Sequence, residues 1–149
     1  MGWWSKTIMG GDTPLDLKSE FFDVAGVDQF NDRNTKVKKA FEESQDKFIK
    51  GGIDKILNRW GCGKPDSAYY NDKKSIAFQV LAVQMMTFGC VIKEELKTLM
   101  FEWIPKDEWA EEDNERKRKI DDLIETLMAY NNKPVDVESE GLFEKMFGE

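Results

Sequence analysis

Asp12 and Asp16, just after the Gly10-Gly11 pair, come closest in this chain to a reactive or ligand-holding arrangement. Two carboxylates at that spacing could hold Mg²⁺ or divide acid and base duties. Glycines ahead of a helix start also let backbone N–H groups approach an anion. The dinucleotide fingerprint and the Gly-x-x-x-x-Gly-Lys loop are both absent, so the plainer reading is a turn followed by a helix cap. Trp3 and Trp4 offer an aromatic platform for a base or a partner's side chain, or one ring for the core. The acidic stretch from Asp107 to Glu115 lacks the glycine and oxygen spacing of an EF-hand loop. It reads as a solvated helix start. Alternatively Glu111, Glu112 and Asp113, with Trp103 and Trp109 beside them, form a patch for a basic protein surface.

Composition narrows the chemistry further. Histidine is absent from all 149 residues. That removes the usual base near neutral pH, Ser-His-Asp and Cys-His nucleophile systems and most zinc sites. The expectation is therefore a protein that is not an enzyme and carries no cofactor or metal. Cys62 and Cys90 lack Cys-x-x-Cys spacing and read as reduced thiols. The net charge is −7, and it is uneven: residues 1–100 carry 15 basic and 14 acidic side chains, residues 101–149 carry 7 and 15. An acidic surface repels phosphate backbones, so nucleic-acid binding is not expected. No apolar run suits a membrane span or a signal peptide, and Lys6 breaks the myristoylation pattern after Met1-Gly2. The expected location is the cytoplasm.

These residues must be positioned by helices, and the pattern predicts an all-α bundle of about six around a buried central helix, in one domain spanning 1–149. Thr13 and Pro14 predict a cap and first position for a helix from Leu15 to Ala25, stopped by Gly26. A second helix starts near Asn34-Thr35 and carries Val37, Ala40, Phe41, Ser44 and Phe48 at helical spacing until Gly51-Gly52 breaks it. Ile53, Ile56, Leu57 and Trp60 form a short stripe, and residues 61–72 read as a loop. Ile76 to Phe88 is apolar on all sides, which marks the central helix, capped by Asp72 or Ser75 and ended by Gly89. A helix from Lys93 to Ile104 stops at Pro105. The last long helix, Ala110 to Tyr130, carries Ile120, Leu123, Ile124, Leu127 and Tyr130 on one face, with acids leading the basic run Arg116 to Lys119. A short helix closes the chain over 139–147, with a small strand pair near Val135-Asp-Val137 as an alternative element.

The Trp3-Trp4 pair, the Ile8-Met-Gly-Gly-Asp-Thr-Pro-Leu-Asp16 block, the Phe78 to Met86 helix and the Asp107 to Arg116 stretch lie in the order in which small proteins of tailed bacteriophages and some bacteria carry them. The chain resembles that group, a domain of unknown function. Its Thr13-Pro14-Leu15-Asp16 segment departs from the Asp-x-Ala-Leu-Asp helix start of a related bacterial domain. The resemblance implies a phage or prokaryotic accessory protein and brings no catalytic residues. Taken with composition, it gives the expectation of a non-enzymatic binding protein that engages or inhibits a host protein, of the anti-defence or host-takeover type. Two other readings stand beside it. One is a binder or sponge for a small nucleotide ligand, using Trp3 or Trp4 and the Gly10-Gly11 turn. The other is a structural virion component or homo-oligomer. A carboxylate- or Mg²⁺-dependent enzyme is the remaining class.

Overall fold

A computed structural model describes residues 12–28, 31–61, 70–107 and 111–133, with the side chains of 12–15 left aside. Within them the chain forms six helices and no strand. These are α1 (Asp12–Ala25), α2 (Asn34–Glu43), α3 (Ile53–Arg59), α4 (Tyr70–Phe88), α5 (Glu94–Trp103) and α6 (Asn114–Ala129). Two short segments extend them: Gln45–Lys47 leading into a kink over Phe48–Gly52, where Lys50 and Gly51 leave helical φ/ψ, and a 3₁₀ turn over Ile104–Lys106. None of these helices is long and apolar enough to cross a membrane.

The all-round apolar pattern of α4 has the consequence expected of it. Every residue from Ser75 to Met86 is buried, and α1, α2, α3, α5 and α6 pack around it. Five phenylalanines from α1, α2, the Phe48–Gly52 kink and α4 close one end of the core. Phe22 meets Phe41 edge-on at 5.2 Å and Phe88 at 6.2 Å, and Phe21 meets Phe48 edge-on at 5.4 Å. Such edge contacts align the positive ring rim with a neighbour's negative face.

Several boundaries differ from the sequence reading, each for a local reason. α1 begins at Asp12, so Thr13 and Pro14 lie in its first turn and are not its cap and first residue. Proline is tolerated there because first-turn N–H groups have no intrahelical acceptor to lose. α4 begins at Tyr70, so Asp72 and Ser75 lie inside it and do not cap it. Buried Tyr70 and half-buried Lys74, one turn apart, hold that first turn through a 2.7 Å hydrogen bond from the ammonium to the phenol oxygen. α5 stops at Trp103, and Pro105 falls within the 3₁₀ turn. α6 is not continuous from residue 110: Asp113 is extended (φ −132°, ψ 111°) and the helix starts at Asn114. The 139–147 helix, the strand alternative at 135–137 and most of the 61–72 loop lie outside the described residues.

The connection before α5 is pinned from three sides. The Gln45 carboxamide donates to the Val91 carbonyl at 2.8 Å and accepts from the Lys93 N–H at 2.7 Å. The Glu42 carboxylate accepts from Val91 N–H, and the Tyr130 hydroxyl donates to the Cys90 carbonyl at 2.6 Å. Cys90 is a buried thiol. Burial, then the neighbouring Glu42 carboxylate, push it up to about 12, and burial raises Tyr130 as well.

The break at Gly51-Gly52 is the other feature that shapes the surface. Gly51 sits at φ +98°, and a Cβ on Gly52 would lie 2.5 Å from the Lys47 carbonyl oxygen. Gly51→Ala is expected to cost about 1–2 kcal/mol from the left-handed backbone alone. Gly52→Ala is expected to cost more than Gly51→Ala, because backbone must move; urea unfolding of both variants measures the order. A second expectation concerns pH. A thiol raised in the folded state stabilises fully below its unfolded value, near 9.0, and that contribution is lost as pH climbs toward about 12. Stability should fall by up to about 1.4 kcal/mol per pH unit from Cys90 in that window. Cys90→Ala should flatten the slope in urea titrations from about pH 8.5, the ordinary thiol range, upward.

Candidate functional site

α6 brings the expected acidic patch into view and changes its content. Glu111 and Glu112 are exposed. Asp113 instead serves the helix: its carboxylate accepts from the Glu115 and Arg116 N–H groups at 3.0 and 3.2 Å. Such a cap satisfies otherwise orphaned donors at a helix start. Trp103 does not join the acids. Its ring has the Lys106 ammonium 4.2 Å and the Lys74 ammonium 4.4 Å from its centre, with Tyr70 edge-on at 5.8 Å. Lys74 is also paired with Asp54 at 3.2 Å. The indole is thus already occupied by the protein's own cations. Asp16 is exposed on α1, and Asp12 opens that helix. Trp3, Trp4, Gly10, Gly11 and Trp109 lie outside the described residues, as does Cys62.

Sequence reading set Asp107 in a solvated helix start and assigned the run from Arg116 to Lys119 to the helix dipole and i,i+4 pairing with the leading acids. The structure corrects both. Arg116 is 0% and Asp107 1% exposed, and their side chains are paired at 2.9 Å. The guanidinium Nε–H also donates to the same carboxylate oxygen, and Nη2 donates to Gln79 Oε1 at 2.7 Å. Gln79 Nε2 donates in turn to Asp107 at 2.8 Å and to Ser75 Oγ at 3.1 Å, and the Ser75 hydroxyl donates to the Ile104 carbonyl at 2.9 Å. One polar chain therefore joins α4, the end of the 3₁₀ turn and α6. The signal existed in the sequence: residues 116, 119, 120, 123 and 127 fall on one helical stripe, and all five are buried.

The outer side of α6 is opposite in character. Asp121, Glu125 and Met128 are spaced i, i+4, i+7, which puts them on one face, and all three are exposed. Asp121, Asp122 and Glu125 have no cation within 4 Å among the described residues. Met128 is 70% exposed, more than Val91, the other large exposed apolar side chain among those residues. A flexible thioether inside a charged rim suits protein contact, where an apolar anchor is enclosed by polar surroundings.

Among the described residues, no three Cys, Asp or Glu side chains group closely enough to hold a metal ion. Comparisons with protein-family models, curated proteins and solved structures each return no match for this chain.

Removing one member of the buried pair should leave a buried charge uncompensated. Arg116→Met or Asp107→Leu alone is expected to cost about 3–5 kcal/mol in urea unfolding. The double variant should cost clearly less than the two singles together, because no unpaired charge is left inside.

Proposed function

We propose that this chain is a non-enzymatic binding protein that docks a basic surface of another protein onto the outer face of α6. The observation that carries the reading is the exposed Met128 beside three carboxylates that lack a cation within 4 Å among the described residues. Surface acids spaced along a helix are ordinarily solvated or paired with a neighbouring base. Here Lys117 and Arg118 share the helix without pairing to them. Unpaired carboxylates steer a positive partner and fix its register, while the methionine contributes buried apolar area. Glu111 and Glu112 extend the acidic face beyond the start of α6. The resemblance to small phage proteins makes a host protein the expected class of partner, and an anti-defence or host-takeover role the expected setting.

The variants must spare the fold. Charge reversal at Asp113 would remove the cap of α6 and confuse binding with stability. Asp121→Lys with Glu125→Lys, and separately Met128→Lys, alter only exposed positions. Tagged full-length protein, captured from host or infected cells and weighed by native mass spectrometry, should carry one partner in fixed stoichiometry. Each variant should weaken that complex by about tenfold or more, as loss of an anchor or of a complementary charge pair does. A complex of unchanged affinity in both variants would refute the docking face. So would a homodimer that Met128→Lys dissolves, because that result assigns the face to self-association.

A further inference from the structure

The chain is acidic overall, yet one cleft is cationic. It is a half-open groove of about 460 Å³ between α1, the Phe48–Gly52 kink and α3, and its lining includes Lys47, Lys50, Lys55 and Arg59. Its apolar floor comes from Val24 and buried Ile56. That volume is within the range of small-molecule sites, in which an apolar body is held by a few converging polar groups.

Three of the cations on this cleft have no direct ion pair among the described residues. Lys47, Lys50 and Lys55 have no carboxylate within 4 Å among the described residues. Asp54, next to Lys55, is turned to Lys74 and Tyr70. Asp46 stands at the cleft but is held by Lys93 at 2.9 Å, and the Lys93 ammonium, with a smaller contribution from Lys50, keeps that carboxyl below its usual range. Arg59 is paired with Glu20, which also accepts from the Trp60 indole N–H. Three unpaired ammoniums sharing one concavity repel each other, and a multiply charged anion relieves that repulsion.

The backbone that delivers them is unusual as well. Lys47 precedes and Lys50 lies within the kink over Phe48–Gly52, and that kink needs glycine at 51 for its positive φ and at 52 for space against the Lys47 carbonyl.

We infer that this cleft binds a small phosphorylated organic molecule of nucleotide size, with Lys47, Lys50 and Lys55 on its phosphates and Val24 and Ile56 against its organic body. The site is separate from the α6 face and does not depend on it.

Isothermal titration calorimetry of the full chain at low ionic strength, with ATP, AMP and pyrophosphate as probes, tests this. ATP should bind one per chain and more tightly than AMP, since it carries more charge. The Lys50→Glu, Lys55→Glu double variant, altered only at exposed positions, should lose at least about tenfold in ATP affinity with an unchanged melting temperature. Arg118→Glu on α6, outside the cleft, should bind as the parent does. Absence of heat with all three probes would overturn the proposal. So would an equal loss in Arg118→Glu, which would mean diffuse attraction, or undiminished binding in the double variant. Binding of pyrophosphate without ATP would overturn the organic half and leave an inorganic-anion site.

Discussion

The interaction on which most of this structure depends is the enclosed pairing of Arg116 with Asp107, extended through Gln79 and Ser75 to the Ile104 carbonyl. A guanidinium cannot leave water unless its donors meet acceptors and its charge meets a counter-charge. Here both conditions are met by residues from three separate segments. Few relative placements of α4, α6 and the turn over 104–107 satisfy all of those bonds at once. Apolar packing alone tolerates sliding, because dispersion and burial are not directional. The polar chain fixes the register of α6, and so fixes which of its residues face outward.

A second constraint works at the other end of the core. The side chains of Gln45, Glu42 and Tyr130 hydrogen-bond to the backbone of the connection from Cys90 to Lys93 and hold it. The Tyr130 bond reaches that connection from the residue that follows α6, so the helix is tied near both ends. Between these points the surface separates by charge. The outer side of α6 carries Asp121, Asp122 and Glu125 around Met128, while the segment over 45–52 and α3 carry Lys47, Lys50 and Lys55. A net charge of −7 conceals this division.

Much of the fold was legible in the sequence where side-chain chemistry and period agreed. α4 was readable because it is apolar on every side, and only a helix enclosed by others can hide such a segment. The Gly51-Gly52 break was readable because two adjacent glycines seldom sit inside an unbroken helix. The site was less legible. Arg116 stands in a run of four basic residues, which reads as a solvated face, and only its phase with Ile120 and Leu123 sets it inward. Asp107 lies among acids for the same reason. Their partners Gln79 and Ser75 are about 30–40 positions away, and no local pattern encodes such a pairing. Trp103 was expected beside acids but meets Lys74, which approaches from another helix. Glu111 and Glu112 were correctly set at the surface, whereas Asp113 was spent on the helix cap, a role that depends on where α6 actually begins.

The central claim is that the buried ion-pair chain makes α6 a rigid platform, continuous with the core. Native-state hydrogen exchange of the unmodified full chain addresses it most directly, because exchange reports the free energy at which each helix opens. If the account is right, the inner-face amides of α6 at Ile120, Leu123 and Leu127 exchange as slowly as those of α4 at Phe78 to Met85, and both respond to urea as one unit. If α6 instead opens well before α4, by a local event insensitive to urea, the network does not hold it and the account fails.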